Sequence, residues 1–216
     1  MRLTLFMPFI LAVIFFTSCA TTEITSSWKA ENARPHDYKK MLVIGLMPDS
    51  VRDFRQQMEK ALTDDLKSKG VNAVSAFELY GPKVFRHMSE QQMNKQIKSK
   101  GFDGIITISL LNTKEEKNYV PGSITDYTGG YGYPNFWDYY SAAYDRIYEP
   151  SYYSTDTDYF WESNLYNLSN GKMIYSVLSR SFDPNTAQSL GKEYGQLILN
   201  DLIRNGVITN KVLTNK

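Results

Sequence analysis

A single α/β domain built on one mixed sheet is what the pattern of the 216 residues predicts. Short apolar runs alternate with helical periodicities through the first half, the signature of βαβ units and parallel strands. A strong hairpin signal and one long amphipathic helix then fill the second half. The same glycine-ended stop closes each of the three helices. The expected order is βαβαβ, a long aromatic-rich loop, a β-hairpin and a C-terminal helix.

The first strand is Met41-Leu42-Val43-Ile44, a continuous apolar run of the kind buried on both faces. Pro48 ends it. A helix follows, in which Ser50 and Asp53 have capping-box spacing and Phe54, Met58, Ala61, Leu62 and Leu66 repeat at helical intervals. It stops at Lys69-Gly70-Val71, where Gly can adopt the left-handed C′ conformation and Val the apolar C″ place. Val71 to Phe77 reads as the second strand. The second helix begins at Ser89, with Gln92 completing a capping box and Met88 set to staple Met93. It stops at Lys100-Gly101-Phe102, and Gly104 to Leu111 is the third strand. KSKGVNAV (67–74) and KSKGFDGI (98–105) echo one another as a shared helix-to-strand turn rather than as a duplicated unit. Strands one to three should be parallel.

Phe160–Leu168 and Met173–Phe182 flank Asn170-Gly171, a hairpin signal. A two-residue loop there pairs Leu168 with Met173 and Tyr166 with Tyr175, and sets Trp161 opposite Arg180. Leu165, Ile174 and Leu178 then share the face turned to the helices. Asp183-Pro184 offers an N-cap and a Pro at N1. The last helix carries Ala187, Leu190, Tyr194, Leu197, Ile198 and Leu202 inward and closes at Asn205-Gly206-Val207.

The amino terminus points to the cell envelope. Arg2 precedes an almost unbroken apolar run from Leu3 to Phe16, too short to span a bilayer comfortably, and then comes Phe16-Thr17-Ser18-Cys19. A small residue before a lone cysteine resembles the bacterial lipobox, although Phe16 stands where Leu is usual. That resemblance implies a signal peptide over 1–18 and lipid attachment at Cys19. Ala20, not Asp, comes next, which resembles outer-membrane sorting with the body facing the periplasm. Residues 19–37 read as anchor and polar tether, with Ser26-Ser27-Trp28 able to dock an early strand on the body. Residues 38–207 form the domain and 208–216 a polar tail.

Behind that lipobox, the element order resembles small envelope lipoproteins and the α/β domains at the start of TolB and in the curli-secretion lipoprotein CsgG. The resemblance covers residues 38–206 in order and hydrophobic pattern. No functional motif comes with it, so it implies fold and compartment, not activity.

Composition excludes several kinds of chemistry. Arg2 is one of 24 basic residues, so the chain beyond the leader balances its 23 acidic ones. A neutral chain with no basic block does not suit nucleic acid. One cysteine excludes disulfides and cysteine-based zinc within a chain. Neither GxGxxG nor GxxxxGK[ST] follows the first strand, and Gly45–Ser50 reads as an ordinary turn. His36 and His87 have no partners at metal or triad spacing. Asp156-Thr157-Asp158 with Glu162 lacks the positions of an EF-hand loop. No cofactor, metal or catalytic residue is therefore expected.

The aromatic segment remains. Eleven of sixteen tyrosines fall between Tyr119 and Tyr159, and residues 129–140 read GGYGYPNFWDYY. Tyr131, Tyr133, Phe136, Trp137, Tyr139 and Tyr140 form the candidate binding surface, since clustered Tyr and Trp serve protein and glycan recognition. The segment over 119–160 could equally cover the sheet face carrying Tyr166 and Tyr175, or stay unsettled. Together these features point to a lipid-anchored, non-enzymatic binding module with an envelope protein or glycan as partner. A subunit of an oligomeric envelope assembly, and an enzyme using Asp156, Asp158, Glu162 and tyrosines, are the alternatives.

Overall fold

A computed structural model describes residues 21–82, 89–120 and 152–209. Six strands form one mixed sheet: β1 (Thr22–Lys29), β2 (Met41–Leu46), β3 (Ala73–Ser75), β4 (Gly104–Val120), β5 (Tyr152–Asn167) and β6 (Lys172–Phe182). Their order across the sheet is β1-β6-β5-β4-β2-β3. The pairs β2/β3 and β2/β4 are parallel, and those involving β5 and β6 are antiparallel. Four α-helices accompany them among the described residues: α1 (Arg52–Ser68), α2 (Ala76–Tyr80), α3 (Glu90–Ser99) and α4 (Ala187–Arg204).

As its unbroken apolar run requires, β2 lies between two clusters. Met41 and Val43 enter the larger one, with Met58, Leu62 and Leu66 of α1 and Leu190, Tyr194, Ile198 and Leu202 of α4. Leu42 and Ile44 enter the smaller one on the opposite face, with Ala76, Ile97 and Phe102. Thus α1 and α4 cover one face, and among the described residues α2 and α3 cover the other from β3 across to Ile105 of β4 and Leu168. Gly191 and Gly195 let α4 lie against α1. A Cβ at Gly191 would meet Gln57 O at 2.7 Å, and one at Gly195 would meet the Ala61 and Leu62 backbone at 3.0 Å.

The helix stops form as their sequences predict. Gly70, Gly101 and Gly206 have φ of 80°, 75° and 62°. Val71 N donates to Leu66 O and Val207 N to Leu202 O, which satisfies carbonyls a helix end otherwise leaves open. The helix starts are mixed. The Ser89–Gln92 capping box forms, whereas Met88 lies outside the described residues. At α1 the expected Ser50–Asp53 box is absent, because a 3-10 turn over Asp49–Val51 leads in and Val51 takes the cap position. At α4, Thr186 and Ser189 make the box instead of Asp183-Pro184. Asp183 is held before the helix at φ 35°, its N donating to Thr157 O at 2.9 Å.

Four strands differ in extent from the sequence reading. The second strand is only Ala73–Ser75, since the Ser75 hydroxyl accepts from Glu78 N and starts α2. Residues Thr22–Lys29, read as tether, pair with β6 over their whole length. Ser26-Ser27-Trp28 thus does sit in an early strand, but its Trp28 is exposed. The third strand runs past Leu111 to Val120, and β5 begins at Tyr152 rather than Phe160.

The hairpin register is also corrected. The loop spans four residues, closing at Asn167↔Lys172, with Tyr166 opposite Met173. Asn167 Oδ1 accepts from Ser169 N and Asn170 Oδ1 from Lys172 N, while Leu168 turns out toward the smaller cluster. Two extra loop residues preserve the faces; the bulge that follows does not. With Ile174 skipped, Leu165 pairs with Tyr175 and Trp161 with Ser179. A one-residue slip exchanges faces, so Tyr175 and Val177 point to the helices and Leu178 is exposed on the other side. Leu165 does face the helices, and Ile174 packs partly there. Trp161 donates to Ser181 Oγ at 3.1 Å and makes no pair with Arg180. Tyr166 and Tyr175 consequently lie on opposite faces.

Candidate functional site

The carboxyl ends of the parallel strands are where an open α/β sheet usually presents a site. Glu59 organises that end here. Fully buried on α1, its carboxylate accepts from Gly45 N at 2.7 Å, Phe77 N at 2.6 Å, Ser75 Oγ at 2.8 Å and Arg55 Nε at 3.0 Å. One side chain thereby joins β2, β3, α1 and the start of α2. Arg55 continues to Pro82 O at 3.0 Å. All four donors belong to the fold itself, so Glu59 is a fastening.

Beside it, Asp49, Ser50, Val51, Arg52, Asp53, Phe54 and Tyr159 line an open cleft of about 400 Å³. Its aromatic wall is pre-set: Phe54 meets Tyr159 edge-on at 5.1 Å, and Tyr159 stacks on buried Trp161 at 5.7 Å. Burial, then the charges of Asp183 and Glu115, raise the Tyr159 hydroxyl above its ordinary value. Arg52 stands 3.7 Å from Asp49. The cleft therefore combines two rings with the carboxylates of Asp49 and Asp53 and the guanidinium of Arg52. By sequence Gly45–Ser50 is a turn and Tyr159 belongs to the aromatic segment; the β2/β4 and β4/β5 pairings bring the two together.

The expected binding residues Tyr131, Tyr133, Phe136, Trp137, Tyr139 and Tyr140, and Cys19, lie outside the described residues. What is described is the stem of their segment. β5 and β6 stop pairing at Asp158↔Phe182, but β4 and β5 continue from Glu115↔Thr157 to Val120↔Tyr152. At roughly 3.3 Å per residue this two-stranded ribbon runs about 20 Å beyond β6. Glu115, Glu116 and Lys117 on it are exposed.

Asp156, Asp158 and Glu162 share one face of β5 by alternation, yet they do not form a common site. Asp158 is buried and accepts from Arg180 Nη2 at 2.6 Å, and Glu162 accepts from Asn164 Nδ2 at 3.0 Å. Among the described residues, no cluster of three His, Cys, Asp or Glu could hold a metal. Two further polar pairs are buried under α4: Tyr175 donates to Asp201, and Ser163 bonds Tyr194. No helix among the described residues is long and apolar enough to cross a membrane.

No family model matches the sequence, and no curated protein matches it either. Among solved structures, the chain is similar to the PelC dodecamer subunit of Paraburkholderia phytofirmans, at 10% identity and TM-score 0.45 over 82% of this chain and 95% of that one. Lipoprotein GNA1162 of Neisseria meningitidis gives 15% and 0.41 over 76% and 98%. A Helicobacter pylori protein described as a neuraminyllactose-binding hemagglutinin homolog gives 8% and 0.34 over 87% and 94%. At these identities and scores the similarities carry no activity to this chain.

Proposed function

We propose that this chain is an envelope protein anchored by lipid on Cys19 at the periplasmic side of the outer membrane, acting by binding rather than catalysis. The observation that carries the binding role is the ribbon. It joins the ends of residues 121–151 about 20 Å beyond the last β6 pair, which suits display of an aromatic segment to an envelope protein or glycan. The engaged states of Asp158, Glu162 and Glu59 support a non-catalytic role. The test is Trp137→Ala. Capture of the partner from solubilised envelopes should be lost while the melting temperature stays at the wild-type value. A clear fall in melting temperature would make the segment a cover for the sheet instead.

The lipid anchor has its own test. Cys19→Ser should abolish lipid labelling and membrane partition, and unchanged partition would refute it. A subunit role in an oligomeric assembly is the second reading, because the outer edge of β1 has no strand partner among the described residues. Light scattering showing a strict monomer at high concentration would remove it.

A further inference from the structure

We propose, on the basis of the lipid anchor inferred above, that the open face of β1 and β6 lies on the membrane surface, with Trp28, Met173, Leu178 and Phe182 in the interface. The first reason is reach. Thr21 is fastened to the body: its N and Oγ1 donate to Glu193 Oε2 at 3.0 and 2.8 Å, and its carbonyl accepts from Phe182 N at 2.8 Å. Cys19 precedes it by two residues, so their Cα atoms are at most about 7–8 Å apart. A lipid on Cys19 therefore holds the body against the bilayer with no free tether.

The second reason is orientation. Thr21 lies at the carboxyl end of β6, the end from which the β4–β5 ribbon projects. Strands standing upright at that distance would drive Glu115, Glu116 and Lys117 into hydrocarbon, where charge is strongly disfavoured. Strands lying along the surface keep the ribbon in the headgroup layer or above it.

The third reason is the side presented. Trp28 pairs with Ser176 and Ser26 with Leu178, so Trp28, Leu178 and Phe182 share the face that α1 and α4 leave open. Met173 joins them beyond the bulge. Their exposures are 49% for Trp28, 36% for Leu178, 48% for Phe182 and 38% for Met173. On the opposite side, α1 turns the exposed charges of Lys60, Asp64 and Lys67 outward. The stripe starts with Phe182 beside the anchor and runs past Trp28, a side chain suited to the interfacial layer, to Met173. Its charges are Glu23 opposite Arg180, Asp158 bonded to Arg180, Glu162 bonded to Asn164, and the Lys114–Glu116 pair opposite Asp158 and Asp156. That set is not basic, so the surface fits neutral lipid through apolar contact rather than anionic lipid through charge.

The experiment compares the acylated full chain with its Trp28→Phe variant in neutral phosphatidylcholine vesicles whose acyl chains carry bromine at a shallow position. Part of the wild-type tryptophan emission should be quenched, and the quenched fraction should fall severalfold in the variant. Leu178→Asp with Phe182→Asp should reduce it similarly while the Cys19 adduct persists. Equal quenching in wild type and Trp28→Phe would overturn the proposal. Mass analysis of the same samples reports acylation separately, so an unmodified Cys19 refutes the anchor alone. The face is then tested by coupling Cys19, the sole cysteine, to a maleimide lipid, where absence of Trp28 quenching overturns it. Trp28 shielded from aqueous quencher in a lipid-free dimer would assign the face to a second copy and equally overturn it.

Discussion

Removing the Glu59 carboxylate should cost more stability than any other single change at the carboxyl end of the sheet. Glu59→Ala strands two backbone donors, Gly45 N and Phe77 N, and leaves buried Arg55 without its anion. Each unsatisfied buried donor costs about 1–3 kcal/mol, and breaking a buried ion pair from one side costs about 3–5 kcal/mol. These terms overlap, so about 5 kcal/mol is the expected loss, against the roughly 5–15 kcal/mol that holds a domain together. Glu59→Gln should fall between, because it keeps one acceptor oxygen but turns an amide donor toward the others. Urea unfolding followed by far-UV circular dichroism reads the loss as a shift in midpoint at constant slope. Asp64→Ala, which breaks only the exposed pair with Lys60, should leave the midpoint in place. A Glu59→Ala midpoint within error of wild type would refute the view that this carboxylate fastens β2, β3 and α2.

Helix contact gives a second test: Gly191→Ala or Gly195→Ala should destabilise by about 1–3 kcal/mol, as overpacking does, despite the better helix propensity of Ala. A gain in urea midpoint would show that α1 and α4 can part without cost. Side-chain polarity on β6 should separate its faces: Val177→Asp prevents cooperative unfolding, whereas Leu178→Asp is tolerated. The reverse order would restore the unbulged register. Alkali should weaken the fold, because burial and the charge of Asp103 push the Tyr38 hydroxyl up to about 12. Burial and the bond to Asp201 raise Tyr175, and burial raises Tyr194. In the unfolded chain tyrosine ionises near 10, so this stability is complete below about pH 10 and is lost as pH rises through about 12. A urea midpoint constant across that window would contradict the buried placement of these hydroxyls.

The parallel half of the sheet was legible because its signals are local. Met41–Ile44 reads as buried on both faces from composition alone, and each Lys-Gly-apolar stop carries its own backbone requirement. The hairpin was not, because its register depends on a skipped residue. Ile174 is as apolar as its neighbours, and nothing in the run marks it as the bulge; Leu168 leaves the strand for a cluster formed by distant β2 and α3 residues. β1 was obscured for a related reason. An edge strand needs little apolar content, and of its residues only Ile24 packs as a hydrophobic against the main cluster. Conversely, the Gly191-x-x-x-Gly195 spacing stands plainly in the sequence, but its meaning requires knowing that α1 faces it. The cleft between Phe54 and Tyr159 joins segments about a hundred residues apart, and the β2/β4 and β4/β5 pairings together make them neighbours.

Lipid on Cys19, holding the domain directly at the membrane, is the proposal on which the binding face and the membrane orientation both depend. Intact-mass analysis of the amino-terminal peptide, taken from protein made in a bacterium that processes lipoproteins, tests it most directly. The expected result is a chain beginning at Cys19 with acyl mass on that residue. A chain retaining residues 1–18, or beginning elsewhere with Cys19 as a free thiol, would contradict it.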